Sequence, residues 1–268
     1  MDKDGFQLDI AAAEKYETSL VPAVLRPLAQ AVLAEISIAE HDVILDAACG
    51  TGVVAREVRV KVGSKPRIVG FDLNQAMIET ANSLPDPHAK SCIWEVADVT
   101  NTHYDNEEFS LIFCQQGLQY FPDKPASLKE MYRLLAKNGR FILTVWSELS
   151  PLIEAIAASV KQHIGLEAEQ KALSPFAFRD EKIIGALLAE QDYAHIKLRS
   201  VGTLRVLKAS SEAVKNLILS TPAGMILAQQ NQQIVAKVVE EVFDKMQPFK
   251  LAGELIIPQK CHLFIATK

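Results

Sequence analysis

One short segment constrains this chain more than any other: Val43-Ile-Leu-Asp46-Ala-Ala48-Cys-Gly50-Thr-Gly52-Val-Val-Ala55. An apolar run of strand length enters a glycine-rich turn and leaves it as a helix. Gly50 and Gly52 let the backbone approach a ligand where a Cβ would stand in the way. The next apolar run, Arg67 to Asp72, ends in a carboxylate about 20 residues past Gly52, the spacing at which an acid accepts both hydroxyls of a ribose. Together these features describe a nucleoside-binding turn.

The pattern continues downstream. Residues 43–46, 67–72, 91–96, 109–114 and 140–146 read as strands, and 53–62, 75–84 and 126–135 as the helices among them. Asn138-Gly139 reads as the turn into the fifth strand. Strand–helix alternation at this spacing implies a parallel sheet with helices on both faces. The flanks are richer in helix: 6–39, interrupted by Pro22 and Pro27, then 151–178, 180–190 and 211–246, with strands at 195–207 and 254–267. The fold expected is α/β, a doubly wound, mostly parallel seven-stranded Rossmann-like sheet with helical cap insertions. The whole chain, 1–268, reads as one domain. Its cofactor-binding core is 40–147, and its cap elements are 6–39, 151–178 and 211–246.

Composition narrows the function. With 49% hydrophobic residues the chain can bury a large core, and a net charge of −5 provides no basic footprint for nucleic acid. Four scattered cysteines with no C-x-x-C pair suggest neither a zinc site nor a disulfide framework, and a reducing, cytoplasmic setting follows. MDKDGFQLDI has no apolar stretch of signal-peptide type, and no apolar run is long enough to span a membrane.

Gly50-x-Gly52-x-x-Ala55 also fits the dinucleotide pattern G-x-G-x-x-A. Asp46 separates the options. A pyrophosphate on the helix N-terminus would meet its negative charge, whereas the sulfonium and ammonium of S-adenosylmethionine would be favoured by it. The bland alternatives are that Asp46 is a plain cap of the turn and Tyr16 plain packing.

Asp46-x-Ala48-x-Gly50-x-Gly52 resembles motif I of class I S-adenosylmethionine-dependent methyltransferases, with Ala48 in place of the first glycine. Gly70-Phe-Asp72-Leu73 through Met77, Ala97-Asp98-Val99, and Phe109 to Phe121 follow in the family's order. Leu134-Leu-Ala-Lys-Asn-Gly139-Arg resembles its L-x-P-G-G-R segment, with Lys137 and Asn138 as departures. The likeness spans about residues 10–147 and is greatest to the ubiquinone/menaquinone-biosynthesis-like, small-molecule branch.

The resemblance implies S-adenosylmethionine as cofactor and assigns positions to it. Asp72 would hold the ribose, and Leu73 and Met77 would border the adenine. Asp98 would accept from the adenine amino group beside the Val99 N–H. Ala48, Gly50 and the Gln115 carbonyl would surround the methionine moiety, and Tyr16 would cap the cofactor. The reaction implied is in-line methyl transfer to a small acceptor, apolar or aromatic to suit cap residues such as Phe176, Phe178, Ile226 and Leu227. No base, metal site or nucleic-acid partner is indicated, and a homodimer stays open. A cofactor-binding protein that does not methylate, such as a cyclase or regulator, is the alternative, with an NAD-dependent oxidoreductase behind it.

Overall fold

The computed structural model describes residues 8–268. Residues 6 and 7 of the expected first cap, and most of MDKDGFQLDI, lie outside them. Among the described residues eight strands form one sheet in the order β3-β2-β1-β4-β5-β8-β6, with β7 paired to β8 off that path. The strands are β1 (Val43–Ala47), β2 (Arg67–Asp72), β3 (Ile93–Val96), β4 (Phe109–Gln115), β5 (Leu135–Trp146), β6 (Ala194–Lys208), β7 (Lys250–Leu251) and β8 (Glu254–Thr267). β1 to β5 pair in parallel, and β8 runs antiparallel between β5 and β6. The short β7 is the one strand beyond the expected seven.

Chain order reverses between β1 and β4. Crossovers on either side leave the sheet in opposite directions there, which opens a crevice at the carboxyl ends of the strands. Helices α1 (Ile10–Lys15), α2 (Arg26–Ala34), α3 (Val53–Val62), α4 (Gln75–Ser83), α5 (Pro87–Lys90), α6 (Lys124–Leu134), α7 (Pro151–His163), α8 (Leu166–Leu173), α9 (Glu181–Glu190), α10 (Ser211–Leu219), α11 (Pro222–Leu227) and α12 (Gln232–Lys245) cover the sheet and its upper edge. None of the described helices is long and apolar enough to cross a membrane. Two large apolar layers result. One, with Leu45, Phe71, Ile112 and Phe141, lies under α6 and α9; the other, with Ile44, Leu111, Leu28 and Val58, lies under α2, α3 and the later helices.

Several boundaries differ from the sequence reading for local reasons. Tyr16–Leu25 forms a π-helical stretch with Pro22 inside it, and Pro27 stands in the first turn of α2. The wider turn tolerates a residue without an N–H, so neither proline breaks the run. β5 begins at Leu135 rather than 140. Its pairing jumps from Phe109↔Leu135 to Leu111↔Arg140, so Asn138-Gly139 is a bulge inside the strand, with Asn138 at φ 62°. The expected helix 211–246 is three helices. Pro222 starts the second, and Asn231 caps the third by accepting from the Ile234 N–H at 3.0 Å.

Candidate functional site

The crevice at the β1/β4 reversal is a cavity of ≈630 Å³. One wall consists of strand tips and turns: Ala48 and Gly50 after β1, Asp72 to Asn74 after β2, Ala97 to Thr100 after β3, and Gln115 to Gly117 after β4. The opposite wall comes from the caps: Leu8, Tyr16 and Leu20 from the N-terminal run, Ile153, Ala172 and Phe176, then Leu219 to Pro222 and Met225. Trp146, at the end of β5, stacks on Phe176 with ring centroids 5.8 Å apart.

The glycine turn is held by Asp72. Its carboxylate accepts from the Gly50 N–H at 2.8 Å and from the Asn74 N–H at 2.9 Å. Burial raises the pKa of this carboxyl, and the backbone donors, including the Leu73 N–H, pull it back down. Ala48 (φ 55°), Gly50 (φ 56°) and Gly52 (φ 82°) all occupy the left-handed region, so the turn exposes backbone rather than side chains to the cavity. A Cβ added at Gly50 would come within 3.3 Å of the Tyr16 hydroxyl. Burial, with Asp72 nearby, pushes the Tyr16 phenol well above its ordinary pKa, so it remains a neutral donor.

Tyr16 is positioned by its neighbour. Glu17 accepts from the Thr51 hydroxyl at 2.6 Å and from Arg56 Nη2 at 2.9 Å. The Arg56 side chain is only 4% exposed. This ion pair fastens the N-terminal run to the start of α3 and brings Tyr16 over the turn.

Of the eleven positions singled out from the sequence, nine line the cavity: Tyr16, Ala48, Gly50, Asp72, Leu73, Met77, Asp98, Val99 and Gln115. Asp98 makes a tight turn, accepting from the Thr100 N–H at 2.8 Å and its hydroxyl at 2.7 Å. Gln115 donates from Nε2 to the Leu25 carbonyl at 3.2 Å, tying β4 to the cap.

Two positions do not reach the cavity. Asp46 is buried beneath the turn and accepts from the Ala55 N–H at 3.1 Å, so it caps the start of α3. Burial raises its carboxyl to about pH 7, against the opposing pull of that N–H. The expectation that its charge faces ligand cations is corrected to this buried role. Gly52 is likewise set by packing rather than ligand approach, because a Cβ there would fall 2.1 Å from the Trp94 ring.

The cap expectations also need correction. Phe176 lines the cavity, but Phe178 packs into the layer under α6 and α9 beneath Lys124, and Ile226 and Leu227 belong to the main core. The 211–246 cap reaches the cavity only through its first half. In α12 the buried Val238, Val239 and Val242 join the main core beside α7, where Glu241 accepts from Ser159 at 2.7 Å and pairs with His163 at 2.7 Å.

The sequence reading missed Arg205. This arginine on β6 is 4% exposed and lines the cavity. Its signal was available in the alternation of β6, where Val201, Thr203, Arg205 and Leu207 share one face, so a charge stood in an inward register.

Comparison with known proteins is consistent with this geometry. A family profile described as a methyltransferase domain matches residues 38–195. The demethylmenaquinone methyltransferase of Lactobacillus johnsonii is 25% identical over 191 residues, covering 69% of this chain and 73% of that protein. The 2-phytyl-1,4-naphtoquinone methyltransferase of Thermosynechococcus vestitus is 29% identical over 164 residues, covering 57% and 72%. Among solved structures, a Haemonchus contortus phosphoethanolamine N-methyltransferase 2 superimposes with a TM-score of 0.59 at 18% identity, covering 97% of this chain and 57% of that one. The [4+2]-cyclase SpnF superimposes with a TM-score of 0.55 at 16% identity, covering 91% and 81%. The fold alone therefore does not choose the reaction; the family profile and the quinone-methyltransferase relatives choose it. On these grounds the chain belongs to the methyltransferase-domain family and is an S-adenosylmethionine-dependent methyltransferase.

Proposed function

We propose that this single-domain enzyme methylates a small, largely apolar and aromatic acceptor of the quinone type, with the cofactor on the glycine-turn wall and the acceptor under the caps. The observation that carries the reading is the Asp72–Gly50 bond at 2.8 Å, placed in the wall of a cavity whose other wall is Trp146, Ile153, Phe176, Leu219 and Met225. A nucleoside suits the first wall and an aromatic ring the second.

The donor set fits S-adenosylmethionine. The Asp72 carboxyl is half-buried and keeps acceptor capacity after its backbone bonds, which suits ribose hydroxyls. Leu73 and Met77 offer an apolar edge for adenine, and Asp98 and the Val99 N–H offer one acceptor and one donor beside it. The open turn at Ala48 and Gly50, with the Gln115 carbonyl, suits the methionine end, and Tyr16 closes over it. When bound, the cofactor supplies an electrophilic methyl group whose leaving group is a neutral thioether.

The protein's contribution is therefore chiefly alignment and exclusion of water. The Glu17–Arg56 pair keeps Tyr16 over the turn, and the stacked Trp146–Phe176 pair provides a flat apolar surface against which a ring is oriented. No histidine or cysteine lines the cavity among the described residues. The relatives named for demethylmenaquinone and phytylnaphthoquinone support an aromatic acceptor.

Calorimetric titration with S-adenosylhomocysteine, with NADH as control, tests the reading. We expect micromolar or tighter binding, lost at least 100-fold in Asp72→Ala. NADH binding without S-adenosylhomocysteine binding would overturn it.

A further inference from the structure

β6 and β8 form a long antiparallel ribbon that continues past the end of β5: Trp146 is level with Cys261 and Val201, and the pairing runs on through Arg205↔Ile257 to Lys208↔Glu254. Arg205 thus stands about 13 Å along the strand beyond the level of Trp146, in the part of the cavity covered by the caps. Its Nε donates to Gln259 Oε1 at 3.0 Å. That bond fixes the plane of the guanidinium and leaves Nη1 and Nη2 with no protein acceptor among the described residues. The Gln259 amide adds no acceptor, and its own Nε2 is buried without a partner.

No carboxylate lies within 4.0 Å of Arg205 among the described residues, although three acids line other parts of the same cavity. Burial alone pushes its pKa down to about 10, with no opposing charge to raise it. A guanidinium taken from water without a counter-charge is costly to the fold, so its retention here calls for an occupant.

We infer that Arg205 is an acceptor-anchoring residue, and that the acceptor is an apolar molecule bearing an oxyanion, a carboxylate or an ionised ring hydroxyl, received by Nη1 and Nη2. The paired terminal nitrogens match two oxygens of a carboxylate in a bidentate fork. A single ring oxygen would accept from both. The inference rests on the assignment of the cap end to the acceptor, and it names the group by which that acceptor is recognised and oriented.

The test uses the whole protein saturated with S-adenosylhomocysteine and three probes of one shape: 2-naphthoate, its neutral isostere 2-naphthamide, and 2-naphthol. The wild type should bind 2-naphthoate at least tenfold more tightly than 2-naphthamide, or bind 2-naphthol as its anion at pH 7, seen by the red shift of its absorbance. The first result identifies a carboxylate and the second an ionised hydroxyl. Arg205→Met should abolish the preference while leaving S-adenosylhomocysteine affinity unchanged. Its unfolding temperature without ligand should equal or exceed that of the wild type, because a structural arginine would lower it and a waiting one does not. Equal or absent binding of charged and neutral probes by the wild type, a preference that survives in R205M, or a marked drop in R205M unfolding temperature would each overturn the proposal. Failure of S-adenosylhomocysteine itself to bind would instead sink the reading of the site.

Discussion

The glycine-turn wall of the cavity rests on segments contiguous in sequence, Ala48–Gly50, Asp72–Asn74 and Ala97–Thr100, each at the tip of a parallel strand. The cap wall takes single side chains from distant places: Tyr16, Trp146, Phe176, Arg205 and Met225. The first is polar, backbone-rich and braced by short hydrogen bonds. The second is mostly apolar around Arg205 and is assembled where helices pack against the far ends of β5 and β6. A scaffold of this kind can hold one cofactor constant while the acceptor side varies, because a substitution under the caps leaves the strand tips untouched.

That contrast breaks first at Gly52. The cofactor turn is locked from behind by Trp94, so Gly52→Ala should lower stability by about 4 kcal/mol or more, combining overpacking with left-handed strain. Chemical denaturation measures it, and Trp94→Leu in the same chain should restore part of the loss. A neutral Gly52→Ala would mean that ligand approach, not packing, selects the glycine.

The next largest effect concerns Asp46. Its carboxyl is raised from 3.8 to about 7 in the folded chain. The folded state therefore holds a proton that the unfolded state releases above pH 4. The stability this contributes is full below pH 4 and is lost as pH rises to about 7. Asp46→Asn should keep the acceptor for Ala55 yet remove that slope, making the variant more stable than wild type at pH 8 by at most about 4 kcal/mol, with no such advantage at pH 4. Denaturant titrations at both pH values decide it.

Under the caps, Phe176→Ala should raise KM for an aromatic acceptor about tenfold, near 1.4 kcal/mol, with S-adenosylhomocysteine affinity within twofold of wild type. A parallel loss of cofactor affinity would erase the distinction between the two walls. The smallest effect expected is for Glu17→Gln. The pair is buried, with side-chain exposures of 4% and 12%, but the amide keeps an acceptor for Arg56 and Asp86 stays 3.6 Å from it. The change should therefore cost about 1 kcal/mol of stability and speed S-adenosylhomocysteine release several-fold in stopped-flow, since Tyr16 is then less firmly held over the turn.

The legibility of the two walls in the sequence differs for the same reason. Ala48, Gly50, Asp72, Leu73, Asp98 and Val99 were legible because a strand tip and the turn after it carry their own register, and Met77 because it follows in the first turn of α4. Phe178, Ile226 and Leu227 were expected in the pocket and are not there, because helix composition does not say which face of a cap meets the cavity. Pro22 was read as a breaker and lies within a widened helical turn.

By itself the sequence determined the α/β order of elements, the glycine turn with Asp72 at its fixed spacing, and membership of the methyltransferase family. These are local properties: hydrophobic period, turn residues and short spacings written within about 30 residues. The tertiary structure alone decided that Asp46 turns inward to Ala55, that Gly52 exists for Trp94, that Glu17 reaches Arg56, and that Arg205 lies under the caps beside Gln259 and without a counter-charge. Each depends on which distant segments pack together, and so on the whole core rather than on any stretch of chain.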